Sequence, residues 1–299
     1  MEKQLIQHLK DLVSINSVNP DLSELGQGEK QIAEFVHNHF MQLNIDSKVH
    51  IIKGDRCNAT AFLSGENPEK ILLLNGHLDT VGIEKMQDPF LVKSDGDRLY
   101  GRGTYDMLAG CAIQMALATF FSKNSCPISL AFTFVADEEN MSLGMEHLVE
   151  NYLPSLPSKP FLGIFMEPTE EVIGISHKGY TWYELKIEGL AAHGSRPEQG
   201  INAIFPMEFA LAELSKINEE LLHAEPHPHL GHATLHPGMI SGGTAQSVIA
   251  AEATIKWERR TLPGETDKEL DEELQRVVSA VLKAPGDHKV TGHQIYSRP

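Results

Sequence analysis

The chain has 299 residues, 41% of them hydrophobic, enough for about two domains with apolar cores of their own. Its net charge of −16 argues against binding to nucleic acid or to an anionic membrane, both of which need basic faces. No apolar run reaches the roughly 18 residues of a membrane span, and residues 1–20 carry acids and amides where a signal peptide is apolar, so a cytoplasmic protein is expected.

The first segment puts Leu5, Ile6, Leu9, Leu12 and Val13 on one helical face and predicts an opening helix. The apolar run Leu72–Leu74 then leads into Asn75-Gly76-His77-Leu78-Asp79. In a strand, residues two apart share a face, so Asp79 is placed to hold the second ring nitrogen of His77. Leu99 to Asp106 precedes an apolar helix from about Met107 to Phe121. The run Ile128–Ala136 reads as a buried strand ending in Asp137-Glu138-Glu139, and Phe161–Met166 as another ending in Glu167.

Strands alternating with helices predict an α/β domain with a parallel sheet, in which ligands sit beyond the carboxyl ends of the strands. His77, Asp106, Glu138, Glu139 and Glu167 would then converge on one rim. Acids so placed repel one another unless a divalent cation lies among them. Singly, each has a plainer reading: Asp106 as a helix N-cap, Glu138 and Glu139 as loop charges.

The second half reads as its own unit. Tyr180–Glu188 alternates as a strand, and residues 201–222 carry helical periodicity. Strands near 233–240 and 247–260, a helix near 267–283 and a strand near 288–296 complete a β-α-β-β-α-β order, which is ferredoxin-like. The expected division is 1–178 and 179–299. First and last strands of such a unit are neighbours, which suits insertion into a host domain. Cys57, Cys111 and Cys126 have no metal-type spacing and leave an odd thiol, so a reducing compartment is expected, with Cys111 in the core. The histidines at 223, 227, 229, 232 and 236 read as loop or surface residues.

Taken together, His77-x-Asp79-Thr80, Gly101-Arg102-Gly103-x-x-Asp106, Asp137-Glu138-Glu139, Glu167-Pro168-Thr169, His177-Lys178-Gly179 and Ala192-His193-Gly194-Ser195-Arg196-Pro197 resemble the M20 family of metallopeptidases and amidohydrolases. The match in order and spacing runs from Ser17 to Gly264. The resemblance implies a parallel-sheet metallohydrolase domain carrying an inserted ferredoxin-like dimerisation domain. It implies two zinc ions, with cobalt or manganese possible: one on His77, Glu167 and a bridging Asp106, the other on Asp106, Glu139 and a histidine from a return segment of the catalytic domain. No histidine before Pro299 matches that last ligand, so a weakly held second ion is expected.

It further implies amide hydrolysis of a small N-acyl amino acid or peptide, with deacylation favoured. Glu138 would be the general base, Asp79 would orient His77, and His193 would reach across a homodimer to the partner's reaction centre. In Glu258-Arg259-Arg260-Thr261-Leu262-Pro263-Gly264, Arg260 would grip a substrate carboxylate, with Asn202 nearby. Ser247, Ala250 and Leu108 stand where relatives usually carry asparagine, proline and lysine, which puts the pocket's chemistry, not the metal motifs, in question. A metal-binding, dimerising protein without turnover is the alternative.

Overall fold

The computed structural model describes residues 2–298. They form two compact units, residues 2–172 and 173–298. In chain order the first contains α1 (Glu2–Val13), α2 (Lys30–Gln42), β1 (Asp46–Lys53), β2 (Arg56–Leu63), β3 (Asn67–His77), β4 (Lys93–Asp95), β5 (Arg98–Tyr100), α3 (Leu108–Phe121), β6 (Ile128–Val135), α4 (Leu143–His147) and β7 (Leu162–Phe165). Its main sheet has the order β1-β2-β6-β3-β7.

The expected parallel pairing holds for β6, β3 and β7, whereas β1 and β2 add an antiparallel edge. The sheet is therefore mixed. The outer strand β1 escaped sequence reading because Asp46–Lys53 is mostly polar and lies at the margin, where a strand buries little.

Alternation along the central strands divides the apolar side chains between the sheet's faces. Leu130, Phe132 and Phe134 on β6 and Leu74 on β3 pack with Leu9, Leu12 and Val13 of α1, Ile32, Val36 and Phe40 of α2, and Met115 of α3. Ala131, Ile71 and Leu73 point the other way. Phe40 lies at ring-centroid distances of 5.1 Å from Phe132 and 5.8 Å from Phe134. Truncating such a buried aromatic to alanine costs about 3–5 kcal/mol, so this layer fixes where the strand ends lie. The predicted opening helix and the apolar helix after Asp106 are both present, and Cys57, Cys111 and Cys126 are free, buried thiols.

The second unit contains β8 (Gly179–Glu188), α5 (Met207–His223), β9 (Thr234–Gly242), β10 (Glu252–Thr261), α6 (Asp267–Val281) and β11 (Lys289–Arg298). Its sheet order, β11-β8-β10-β9, is antiparallel throughout and ferredoxin-like, with β11 beside β8. Leu185, Ile187, Ile255 and Trp257 pack against Leu214 of α5 and Leu274 of α6. Thr266 and Glu269 close a capping box at the start of α6, an arrangement worth about 1 kcal/mol.

Helix α5 begins at Met207, later than the periodicity predicts. Asn202 Oδ1 accepts from the Ile204 N–H at 2.8 Å, holding a local turn, and Pro206 takes the N-cap position. Strand β10 likewise begins at Glu252, because residues before it fold back: Val248 bridges to His193, and Ala250 O accepts from Ala203 N–H at 2.9 Å. Among the described residues no helix is long and apolar enough to cross a membrane.

Candidate metal centre

His77 is the last residue of β3 and is almost wholly buried. Its Nδ1 lies 2.9 Å from the backbone carbonyl of Asp79. A carbonyl only accepts, so Nδ1 carries the proton and the lone pair of neutral His77 is on Nε2. Nε2 faces the rim, 3.1 Å from Asp106 Oδ1 and 3.7 Å from both Glu138 Oε2 and Glu167 Oε2. Asp79 thus faces the His77 ring with two acceptors, its backbone carbonyl at 2.9 Å and, behind it, its carboxylate Oδ1 at 3.5 Å. The strand stops at His77, and the turn that follows aims the main chain back at the ring.

The fully buried Asp79 carboxylate has other work. It accepts the N–H groups of Glu138 and Glu139 at 3.0 and 3.1 Å and the Asn19 side-chain amide at 2.9 Å. Two acids of the Asp137-Glu138-Glu139 loop are therefore positioned through their backbone.

Asp106 does not cap α3. The N-cap position belongs to Met107, and no side-chain cap bond is made there. A Cβ on Gly110 would lie 2.7 Å from Met166 Cβ, so glycine lets the start of α3 approach the residue that precedes Glu167. Met166 N–H donates to Asn75 O at 3.0 Å, extending the β3–β7 ladder to the point where Glu167 emerges. Ligand-bearing atoms of His77, Asp106 and Glu167 lie within 4.8 Å of one another.

The electrostatics fit a cation. Burial raises Glu139 to about 7; His77 opposes this, while the charges of Asp106, Asp79 and Glu138 add to it. Burial likewise raises Glu167 to about 7 against His77, with Glu138, Asp106 and Asp79 adding to the rise. Burial alone would lower His77, yet hydrogen bonds with Asp106 and Asp79 hold it well above its ordinary value. Burial would raise Asp79, but His77, Asn19 and the backbone of Glu138 keep it below its usual range. The carboxylates around His77 thus favour positive charge at this point of the rim, and a divalent ion on a mixed imidazole and carboxylate donor set would supply it. A depression of about 400 Å³ lined by Tyr105, Pro168, Thr169, Glu170 and Glu171 lies beside these ligands.

His193, Asn202 and Arg260 belong to the other unit. His193 is exposed and shares a 2.8 Å hydrogen bond with the Ser195 hydroxyl through Nδ1. Asn202 holds the turn already described. The adjacent arginines on β10 point to opposite faces. Buried Arg259 is tied to Glu265 and Glu273. Arg260 gives its Nε to Glu258 at 2.7 Å and lies over the Tyr180 ring, 5.3 Å from the centroid.

Sequence reading assigned no role to a buried network behind the rim. Arg56 donates to Glu29 Oε1 at 2.5 Å, to Asn19 Oδ1 at 2.5 Å and to Asp21 at 2.6 Å, and its guanidinium lies 3.0 Å from Asp137 Oδ1. Asn19 also donates to Asp137 Oδ1 at 3.0 Å. Burial and the charge of Asp79 push Glu29 up to about 7 despite Arg56. The only signal in the sequence was Asn19, inside the matching stretch that starts at Ser17.

Known proteins resemble this chain over most of its length. Residues 58–166 match the profile of peptidase family M28, and residues 175–285 match that of the peptidase dimerisation domain. An acetylornithine deacetylase from Vibrio atlanticus (strain LGP32) is 30% identical over 291 residues, covering 94% of this chain and 75% of the relative. One from Buchnera aphidicola subsp. Schizaphis graminum is 27% identical, covering 93% of this chain and 73% of its own length. Among solved structures, a tripeptidase from Staphylococcus aureus superposes with a TM-score of 0.75 at 20% identity, covering 98% of this chain and 76% of that one. An M20 family metallo-carboxypeptidase from Sulfolobus solfataricus gives 0.75 at 16%, covering 99% and 79%. These structural likenesses establish the fold.

Proposed function

The chain belongs to the M20 family of metallopeptidases and amidohydrolases, and from that premise we propose that it hydrolyses the amide bond of a small N-acyl amino acid. The observation that carries the reading is the convergence of Asp106, Glu138 and Glu167 on the Nε2 atom of His77. Similarity to acetylornithine deacetylases favours deacylation. The peptidases among the structural neighbours support a dipeptide or tripeptide as the second reading. A protein that binds metal and dimerises without turnover is not favoured by these relatives.

In this proposal His77, Asp106 and Glu167 hold one divalent ion, and Asp106 with Glu139 contributes to a second. Zinc suits such nitrogen and oxygen donors, with cobalt or manganese as substitutes. When bound, the metal supplies Lewis acidity toward the acyl oxygen and lowers the pKa of a water. Glu138 takes a proton from the attacking water and returns it to the leaving amine. The backbone bonds to Asp79 fix where that carboxylate stands. Arg260 offers a planar fork to the substrate carboxylate, with Asn202 beside the substrate, and His193 donates to the developing oxyanion. Purified protein supplied with zinc or cobalt should release free amine from N-acetyl amino acids faster than from dipeptides. Faster dipeptide cleavage would select the second reading, and hydrolysis of neither would reject both.

The peptidase dimerisation domain supports a homodimer. Phe205, Met239 and Ile240, which are 77%, 67% and 58% exposed, and the open edge of β9 offer an apolar surface for it. If His193 serves the partner's reaction centre, mixing inactive Glu138→Gln with inactive His193→Ala restores activity, because one site per mixed dimer has both residues. Random exchange of subunits predicts about a quarter of wild-type activity. No recovery after verified exchange would place His193 in its own subunit's site.

A further inference from the structure

Asp137 sits at a left-handed backbone angle, φ 63°. For a residue other than glycine this costs on the order of 1 kcal/mol and persists only where surroundings impose it. Here they impose it from several sides. The Asp137 N–H donates to Glu29 Oε1 at 3.3 Å, and its carbonyl accepts from Ser142 N–H at 2.5 Å. Its Oδ1 meets Arg56 and Asn19, each at 3.0 Å, and its Oδ2 accepts from Leu143 N–H at 3.4 Å. Immediately after this turn come Glu138 and Glu139, whose N–H groups reach Asp79.

Glu29, Asp79 and Asp137 are fully buried carboxylates in one network. Among the described residues, Arg56 is the cation paired with Glu29 and Asp137. Its NH1 is spent on Glu29, while NH2 reaches Asn19, Asp21 and Asp137. Asn19 relays that hold to Asp79. A planar fork can span these acceptors at once, and a lysine ammonium cannot.

We infer that Arg56 is a positioning residue: through Glu29, Asn19 and Asp137 it sets the turn that delivers Glu138 and Glu139 to the rim. Its relevance to turnover rests on the roles proposed above for those two acids. Arg56 touches neither of them by its side chain and acts only through the turn. On its outer side lies a cavity of about 340 Å³, lined also by Pro20, Asp21, Gly26 and Leu143, through which a small cation can approach the vacated position in a truncated variant.

The test uses Arg56→Lys and Arg56→Ala in the whole chain. In metal-free protein, amide hydrogen exchange over residues 137–143 should quicken about tenfold in Arg56→Lys, with the second unit unchanged. In metal-loaded protein, kcat should fall about 10²-fold, the scale of a misplaced catalytic group, while KM stays within about twofold. Guanidinium ion at millimolar concentration should restore part of the kcat of Arg56→Ala, and urea should not. Wild-type exchange in Arg56→Lys, or exchange raised uniformly across the first unit with kcat per folded molecule unchanged, overturns the inference. If Arg56→Lys does not fold, Asn19→Ser carries the same test, because it cuts the link between Asp79 and Asp137 and keeps the Arg56–Glu29 pair. Should the wild type hydrolyse nothing, the proposed function fails, but the exchange measurement still decides what Arg56 holds.

Discussion

Replacing Glu138 by glutamine should reduce kcat by about 10²–10⁴-fold, the usual contribution of a general base, and leave metal content unchanged. The two effects separate because of how the residue is held. Its N–H bond to Asp79 does not depend on the side chain, and glutamine keeps the shape of glutamate. The donor group formed by His77, Asp106 and Glu167 is untouched. What is lost is the ability to take a proton from water and pass it to the amine. Metal per chain, measured by mass spectrometry alongside steady-state kinetics, checks both halves. Turnover retained in Glu138→Gln would remove Glu138 from the role of base; loss of metal together with turnover would make it a ligand instead.

Stripping the metal should make the first unit's stability fall as pH rises, and returning zinc or cobalt should reverse the trend. Glu29, Glu139 and Glu167 each move from an ordinary 4.5 to about 7 in the folded chain. A carboxyl with a raised pKa binds its proton more tightly folded than unfolded, so its stabilising effect is complete below about 4.5 and disappears as pH climbs through about 7. His77, raised above 6.5, acts in the same direction at higher pH. Asp79, held below 3.8, opposes them only in acid and is constant across this window.

Glu139 and Glu167 reach solvent, so screening reduces their share. A decrease in Tm of a few degrees between about pH 5 and pH 8 is the expected size for a unit of this length. Both tryptophans, Trp182 and Trp257, lie in the second unit, so their fluorescence tracks that unit while far-ultraviolet circular dichroism tracks both. A metal-free melt that is flat across this range in the circular dichroism signal, or one that metal does not raise at pH 8, would contradict the picture of a cluster short of positive charge.

Much of this site was legible because β-strands announce their own ends. An apolar run long enough to be buried, followed within three residues by His77, Asp137 or Glu167, says which residues stand at the sheet's rim. The β-α-β-β-α-β order of the second unit was legible for a similar reason, since its strands alternate and its helices carry apolar faces. The support behind the rim was not. Glu29, Arg56 and Asp137 lie far apart in the chain and are brought together by α2, β2 and β6, and a buried ion pair leaves no local pattern in a sequence. Arg56 reads locally as a charged residue after the Gly54-Asp55 turn. The carbonyl that holds His77 was equally invisible, because a backbone acceptor has no residue type.

One pairing in the second unit bears on how such a molecule is built. Tyr180, at the head of β8, is registered against Arg298, at the foot of β11. Adjacent strands lie about 5 Å apart, so the two junctions need only the room of a hairpin. A host fold can accommodate this module at a single surface loop without re-threading its own sheet.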